Sequence, residues 1–251
     1  MKKYTGSTLP VVFLLVLWEL VSRSGVVSVS LFPPPTEVAG ALYGMIVSGT
    51  IFIDLGDSLW RLLVGLFIGS TAGILFGLLT GRSRFCDRRL APIIQLLRPL
   101  PPVAIIPLII VWFGIGDGAK IFSIAFAVFF PVWINTNIGA RQISRSFLWS
   151  AKLLTKSKIK IFRKVIFPAS LPFIIAGIRT AIAVAFIMVF VSELAGASSG
   201  LGYRISVTSL SYRIDQMIAA LIVLGALGAI TDQLFVLGTK KFFPWINYLS
   251  K

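Results

Sequence analysis

"GLFIGSTAGILFGLLTG", residues 65–81, carries no charge and sets a glycine at every fourth position: Gly65, Gly69, Gly73, Gly77 and Gly81. Four residues make just over one helical turn, so the five glycines share one face of a helix. A second helix can approach that face almost to backbone contact, which is how helices associate in lipid. The stretch therefore reads as a membrane-spanning helix with a smooth packing stripe. Composition agrees: of 251 residues, 57% are apolar and only 13% charged, and the mean hydropathy is +0.92. A soluble domain of this length needs more polar surface.

Hydropathy predicts six spans in a single all-α integral membrane domain over 1–251, at approximately 9–28, 62–81, 91–113, 120–140, 171–194 and 216–238. The start, "MKKYTGSTLPVVFLLVLWEL", resembles a signal peptide. No small-x-small cleavage site follows cleanly and Glu19 interrupts the apolar run, so it is read as a retained first span. "FPPP" at 32–35 ends that helix, and 36–60 is expected to hold a short amphipathic helix on the membrane surface. Pro99, Pro101, Pro102 and Pro107 predict a kinked or broken third span. Lipid tolerates such a break only against protein or beside a water-filled path.

The net charge of +15 does not indicate nucleic acid, because the basic residues lie between spans. With the N-terminus in the cytoplasm, 17 of the 24 Lys and Arg fall on cytoplasmic segments and 5 on the opposite side. Both termini are therefore expected inside. The absence of histidine excludes Ser-His-Asp and Cys-His triads. Cys86 reads as a spectator at a helix end, and no metal-ligand spacing occurs. "GIGDGAK" at 114–120 departs from a phosphate loop: Ala119 replaces the second glycine, and Ile121 follows Lys120 in place of Ser or Thr. It reads as the turn between spans three and four. The nine acids are scattered, with no pair expected at a pocket. The chain is expected to be no enzyme and to bind no cofactor itself.

The segment "SFLWSAKLLTKSKIKIFRKVIFPASLPF", 146–173, has many Lys and Arg and no acid. Residues 148–164 fit a helix with Leu148, Ala151, Leu154 and Ile161 on one face and Lys152, Lys156, Lys160 and Lys164 on another. A row of like charges needs a counterpart: anionic lipid, an acidic groove on a partner protein, or simply solvent around a positive-inside loop.

With its exit "KVIFPASLPFIIAGIRTA", this segment resembles the cytoplasmic loop of permease subunits in bacterial ABC importers. That family's pattern is Glu-Ala-Ala, a short variable run, Gly, and a later Ile-x-Leu-Pro. Registered on Pro168, Val165 and Phe167 fall on the closing part and Ala151 on the second alanine. Trp149 stands for the Glu, Ser150 for the first alanine and Thr155 for the Gly. "LFPPPTEV", "LRPLPPVAIIPLIIVWFGIGDGAKI" and "VSELAGASSGLGYRI" resemble, in order and spacing, the nitrate/sulfonate/taurine branch.

The resemblance implies a type I ABC importer permease fold in a bacterial inner membrane. Two permease subunits, identical or different, would form the pore. Two cytoplasmic ATPases would use ATP and Mg, and a binding protein would deliver cargo from outside. The loop 141–168 would hold the coupling helix, with Trp149, Ser150, Ala151, Lys152, Leu154, Thr155, Lys156, Lys160 and Pro168 facing the ATPase. Lys152, Lys156 and Lys160 are expected to replace part of the lost Glu contact with charge. The implied cargo is a small solute, an anion such as a sulfonate, taurine, nitrate or bicarbonate. Path candidates are the polar groups inside spans: Arg98, Asn135, Asn137, Arg179, Ser192 and Glu193. Two alternatives for the arginines stay open: Arg98 caps the broken helix, and Arg179 pairs with a neighbouring carboxylate such as Glu193. "SSGLGY" reads as a gate or turn at the outer end of span five. Two readings compete with the importer: a degenerate structural partner in a heterodimeric pore, and a stand-alone secondary transporter.

Overall fold

The computed structural model describes residues 8–245. Lys2, Lys3 and Lys251, and with them the sidedness expected for the termini, lie outside these residues. The elements are α1 (Thr8–Arg23), α2 (Pro35–Val47), α3 (Thr50–Arg82), α4 (Arg84–Leu97), α5 (Pro102–Phe113), α6 (Asp117–Arg141), α7 (Arg145–Leu154), α8 (Lys158–Ile161), a π-helical turn (Phe162–Ile166), α9 (Phe167–Leu194), α10 (Leu201–Leu210) and α11 (Ile214–Phe242).

The glycine stripe sets the core. A β-carbon on Gly65 would fall 2.7 Å from Ile124; on Gly73, 2.8 Å from Val132; on Gly81, 2.6 Å from Ala140. Both numbers rise together, so α3 and α6 run parallel, with near backbone contact along the stripe. α9 packs antiparallel on the other side of α6, where Gly139 meets Phe173 and Gly177 meets Asn135. Leu62, Ile124, Val128, Ala185 and Met188 fill the space among the three helices. Two parallel neighbours in one sheet of helices need a return crossing. α4 and α5 supply it.

That crossing is broken, as the prolines predict. α4 and α5 meet at 97°, with Pro101 as the N-cap and Pro102 as the first residue of α5. The long helices are α3, α6, α9 with its π extension, and α11. The described residues thus hold four helices able to cross a membrane, or five with the bent pair. The first of the six expected spans falls on α1, whose described part begins at Thr8, the first described residue. The helix that holds span two starts at Thr50, ahead of the expected 62, because the turn at Ser48 and Gly49 (φ 75°) separates it from α2. The proline run folds back on α1, where Trp18 donates to Pro33 O at 3.1 Å. Glu19 accepts from Arg23 and from Thr36 at the start of α2, so the acid that interrupts the first apolar run is fully engaged.

The basic segment is not one helix. Thr155 is extended (φ −160°), and Ser157 accepts from Lys160 N as the N-cap of α8. These hydroxyls compete with the helical backbone and break it over 155–157. The row Lys152, Lys156, Lys160, Lys164 is therefore split between two helices, the break and the π turn. In that turn Phe167 N donates to Phe162 O, five residues back, just before Pro168, which has no N–H to donate.

Candidate functional site

Parallel packing of α3 and α6 puts Arg82 and Arg141 at one end of the bundle, with α7, α8 and the start of α9. This is the basic end. Arg141 pairs there with Asp87. The starts of α3, α6 and α11, the end of α9, and α10 lie at the opposite end.

On α7 the one buried residue is Ala151. Trp149, Ser150, Lys152 and Leu154 are exposed, and Leu153 and Leu154 are 89% and 87% open. Thr155 and Lys156 lie in the break, Lys160 in α8 and Pro168 in the first turn of α9. The coupling candidates thus share one end, but they present an apolar knob edged by lysine rather than a lysine face.

The path candidates do not share a site. Arg98 and Asn137 line an open cleft of about 610 Å³ beneath the α4–α5 elbow, with Gln95, Pro99 and Trp133. Asn137 and Trp133 both donate to Thr80 Oγ1, at 2.7 and 3.1 Å. Arg98 caps α4 through its backbone N–H to Ile94 O and lines the cleft. Asn135 instead faces Pro131 O at the α6–α9 contact. Arg179 does not pair with Glu193. It forms a two-pronged contact with Asp232 of α11, at 2.9 Å on each side, because Glu193 lies four turns further along α9.

Ser192 and Glu193 sit at the α10 end, and there three of the nine scattered acids are gathered. The Glu193 side chain is fully buried and accepts from Arg61 Nη1 (2.8 Å), Ser58 Oγ (2.8 Å) and Gly202 N (2.9 Å). Arg61 also donates to Asp117 at 2.7 Å, to Ser199 O at 2.7 Å and to Ser199 Oγ at 3.2 Å. Asp54 accepts from Gly200 N and Arg204 Nε. Lys120 Nζ donates to Ile115 O at 2.8 Å. Three acids and three bases are thus joined across α3, α6, α9 and α10. Sequence reasoning missed Asp54, Ser58, Arg61, Asp117 and Arg204. Their signal is the spacing Asp54–Ser58–Arg61, one polar face on a helix that the hydropathy boundary at 62 had cut short.

A broken crossing over a polar cleft, a protruding helix pair at the basic end and a charge clasp at the other end describe a transport subunit. Residues 69–242 match the family described as binding-protein-dependent transport system inner membrane component. The chain belongs to that family. The permease is 35% identical over 242 residues, 96% of its own length and 87% of the relative's, to a Bacillus subtilis protein named for aliphatic sulfonates transport. An Escherichia coli protein of the same name is 36% identical over 229 residues, 91% of this chain and 87% of the relative. The nitrate import permease protein of Synechocystis is 31% identical over 230 residues, 88% and 82% of the two chains. The fold is that of a type I importer permease. An inward-facing MetNI methionine ABC transporter superposes with a TM-score of 0.60 at 20% identity, over 76% of this chain and 93% of that one. The permease is a multi-pass membrane component of an ATP-driven ABC importer.

Proposed function

We propose that this permease carries a small anion of the sulfonate class inward across a bacterial cytoplasmic membrane. Its basic end and both termini face the cytoplasm. The observation that carries the reading is the elbow cleft. Arg98 lines it, and no acidic residue does. The broken crossing beside it supplies the polar backbone that lipid alone would not tolerate. The sulfonate and nitrate names of the relatives point to the same charge. The pore partner is a second copy of this chain, cargo arrives on an external binding protein, and ATP with Mg is hydrolysed on a separate ATPase that seats α7 and α8.

The test is uptake of an alkanesulfonate into vesicles carrying the permease with its ATPase and binding protein. At about 5 Å and an effective dielectric near 20, a unit charge contributes about 3 kcal/mol to an anion. Arg98→Gln is therefore expected to slow uptake by about tenfold or more, and Arg98→Lys to retain most of it. Equal rates for Arg98→Gln and the parent chain would sink the anion assignment.

The coupling surface has its own test. Lys152→Glu with Lys156→Glu reverses two charges beside the knob, and Leu153→Ser with Leu154→Ser removes its apolar tip. Both pairs are expected to reduce ATPase co-purification several-fold. Loss in the leucine pair alone would leave the knob as the contact and set aside the lysines.

A further inference from the structure

One guanidinium, Arg61, joins three elements at the α10 end: Asp117 at the start of α6, Glu193 in the last turn of α9, and Ser199 in the segment that follows it. That segment, 195–200, runs without helix as a strap between α9 and α10. Gly196 and Gly200 take φ of 121° and 117°, the left-handed region that glycine alone enters freely. The strap faces the turn between α5 and α6.

The contact between strap and turn is thin. On its solvent side an open crevice of about 540 Å³ separates Ile115–Asp117 from Gly196–Ser198. On its inner side lies a void of about 10 Å³, bordered by Ser123 and Ser192, room for about one water. Ile115, Lys120 and Gly196 border both spaces, so these three residues are the wall between them. Charge, more than packing, holds that wall. Lys120 binds carbonyls of the turn, and Arg61 reaches across from Ser199 to Asp117. The two halves of the Arg61 grip are unequal. The Glu193 side chain is fully buried, while that of Asp117 is 52% exposed. The bond to Asp117 is therefore the one that solvent can replace.

We propose that Arg61 is a positioning residue for transport: it pins the 195–200 strap to the α5–α6 turn, and breaking its bond to Asp117 parts this seam on the outer side in each cycle. The clasp to Glu193, Ser58 and Asp54 stays intact and carries the strap with α3 and α9, while the α5–α6 turn swings away with Asp117 and the body of α6 stays on the glycine seam of α3. The proposal rests on the outward placement of the α10 end.

The experiment locks the seam. Ile115→Cys and Ala197→Cys are placed in a Cys86→Ser chain and reconstituted with its ATPase and binding protein. Oxidation is expected to slow uptake about tenfold, with full recovery on reduction and no loss of the ATPase from the complex. Equal uptake by the cross-linked and reduced forms overturns the proposal. A second measurement needs no cross-link. With Ala197→Cys alone, a membrane-impermeant maleimide added on the outside is expected to label several-fold faster in Arg61→Gln than with Arg61 present. Arg61→Lys, which keeps one ion pair, is expected to fall between them. Equal outside rates in all three overturn the seam and leave the cargo assignment standing. Labelling from the basic side only overturns the orientation, and this proposal with it.

Discussion

Substitution of Gly73 by leucine is expected to eliminate folded permease. A β-carbon at this position already falls 2.8 Å from Val132 Cβ, 2.9 Å from Phe129 O and 3.0 Å from Trp133 N. Two of those atoms are backbone, so no rotamer change in α6 makes room. The helices must separate along their whole parallel seam, and the neighbouring contacts at Gly69 and Gly77 are lost with it. Overpacking usually costs about 1–3 kcal/mol, and the backbone contacts put this case at or above the upper figure. The readout is the yield and melting temperature of the purified protein in detergent. Gly225→Leu is the control, since nothing lies within 4 Å of a β-carbon there. Its melting temperature is expected to match that of the parent chain.

The second large effect is expected from Glu193→Ala. This change leaves Arg61, whose side chain is only 4% exposed, with a single carboxylate. It also strips the acceptor from Ser58 Oγ and Gly202 N. Breaking one partner of a buried pair costs about 3–5 kcal/mol, whereas replacing both by apolar residues is often close to neutral. Arg61→Met combined with Glu193→Leu is therefore expected to be more stable than Glu193→Leu alone, by about 2 kcal/mol in a double-mutant cycle. The same double variant is expected to transport poorly, because the strap loses its pin. Stability and transport moving together across the cycle would mean that the clasp only holds the fold.

Much of the fold is written in local patterns. The glycine stripe announces the α3–α6 contact because period and residue size act within one helix. Pro99 to Pro102 announce the elbow because proline acts on its own backbone. The helix ends were less legible. Thr155 and Ser157 break α7 from α8 by hydroxyl bonds that a tally of apolar and basic faces does not weigh. Ser48 and Gly49 likewise let α3 begin a dozen residues before the hydropathy rise. The clasp was hidden for a different reason. Its members are separated by up to 150 residues in the chain, and each looked like an isolated charge near a span end. Arg179 shows the same limit: its carboxylate partner was foreseen, but the choice between Glu193 and Asp232 depends on which helix packs beside α9.

Residues Lys158–Leu194, π turn included, form one continuous rod of 37 residues, about 55 Å long at 1.5 Å per residue. Its foot stands among the lysines next to the exposed knob, and its head holds Glu193. A rod of that length is a lever. Tilting it by about 5° at the foot carries the head, with the Arg61 it clasps, sideways by about 5 Å, well beyond the reach of the Arg61–Asp117 bond. Small mechanical input on one face of the membrane is thus amplified to the scale on which the far side keeps or loses its grip.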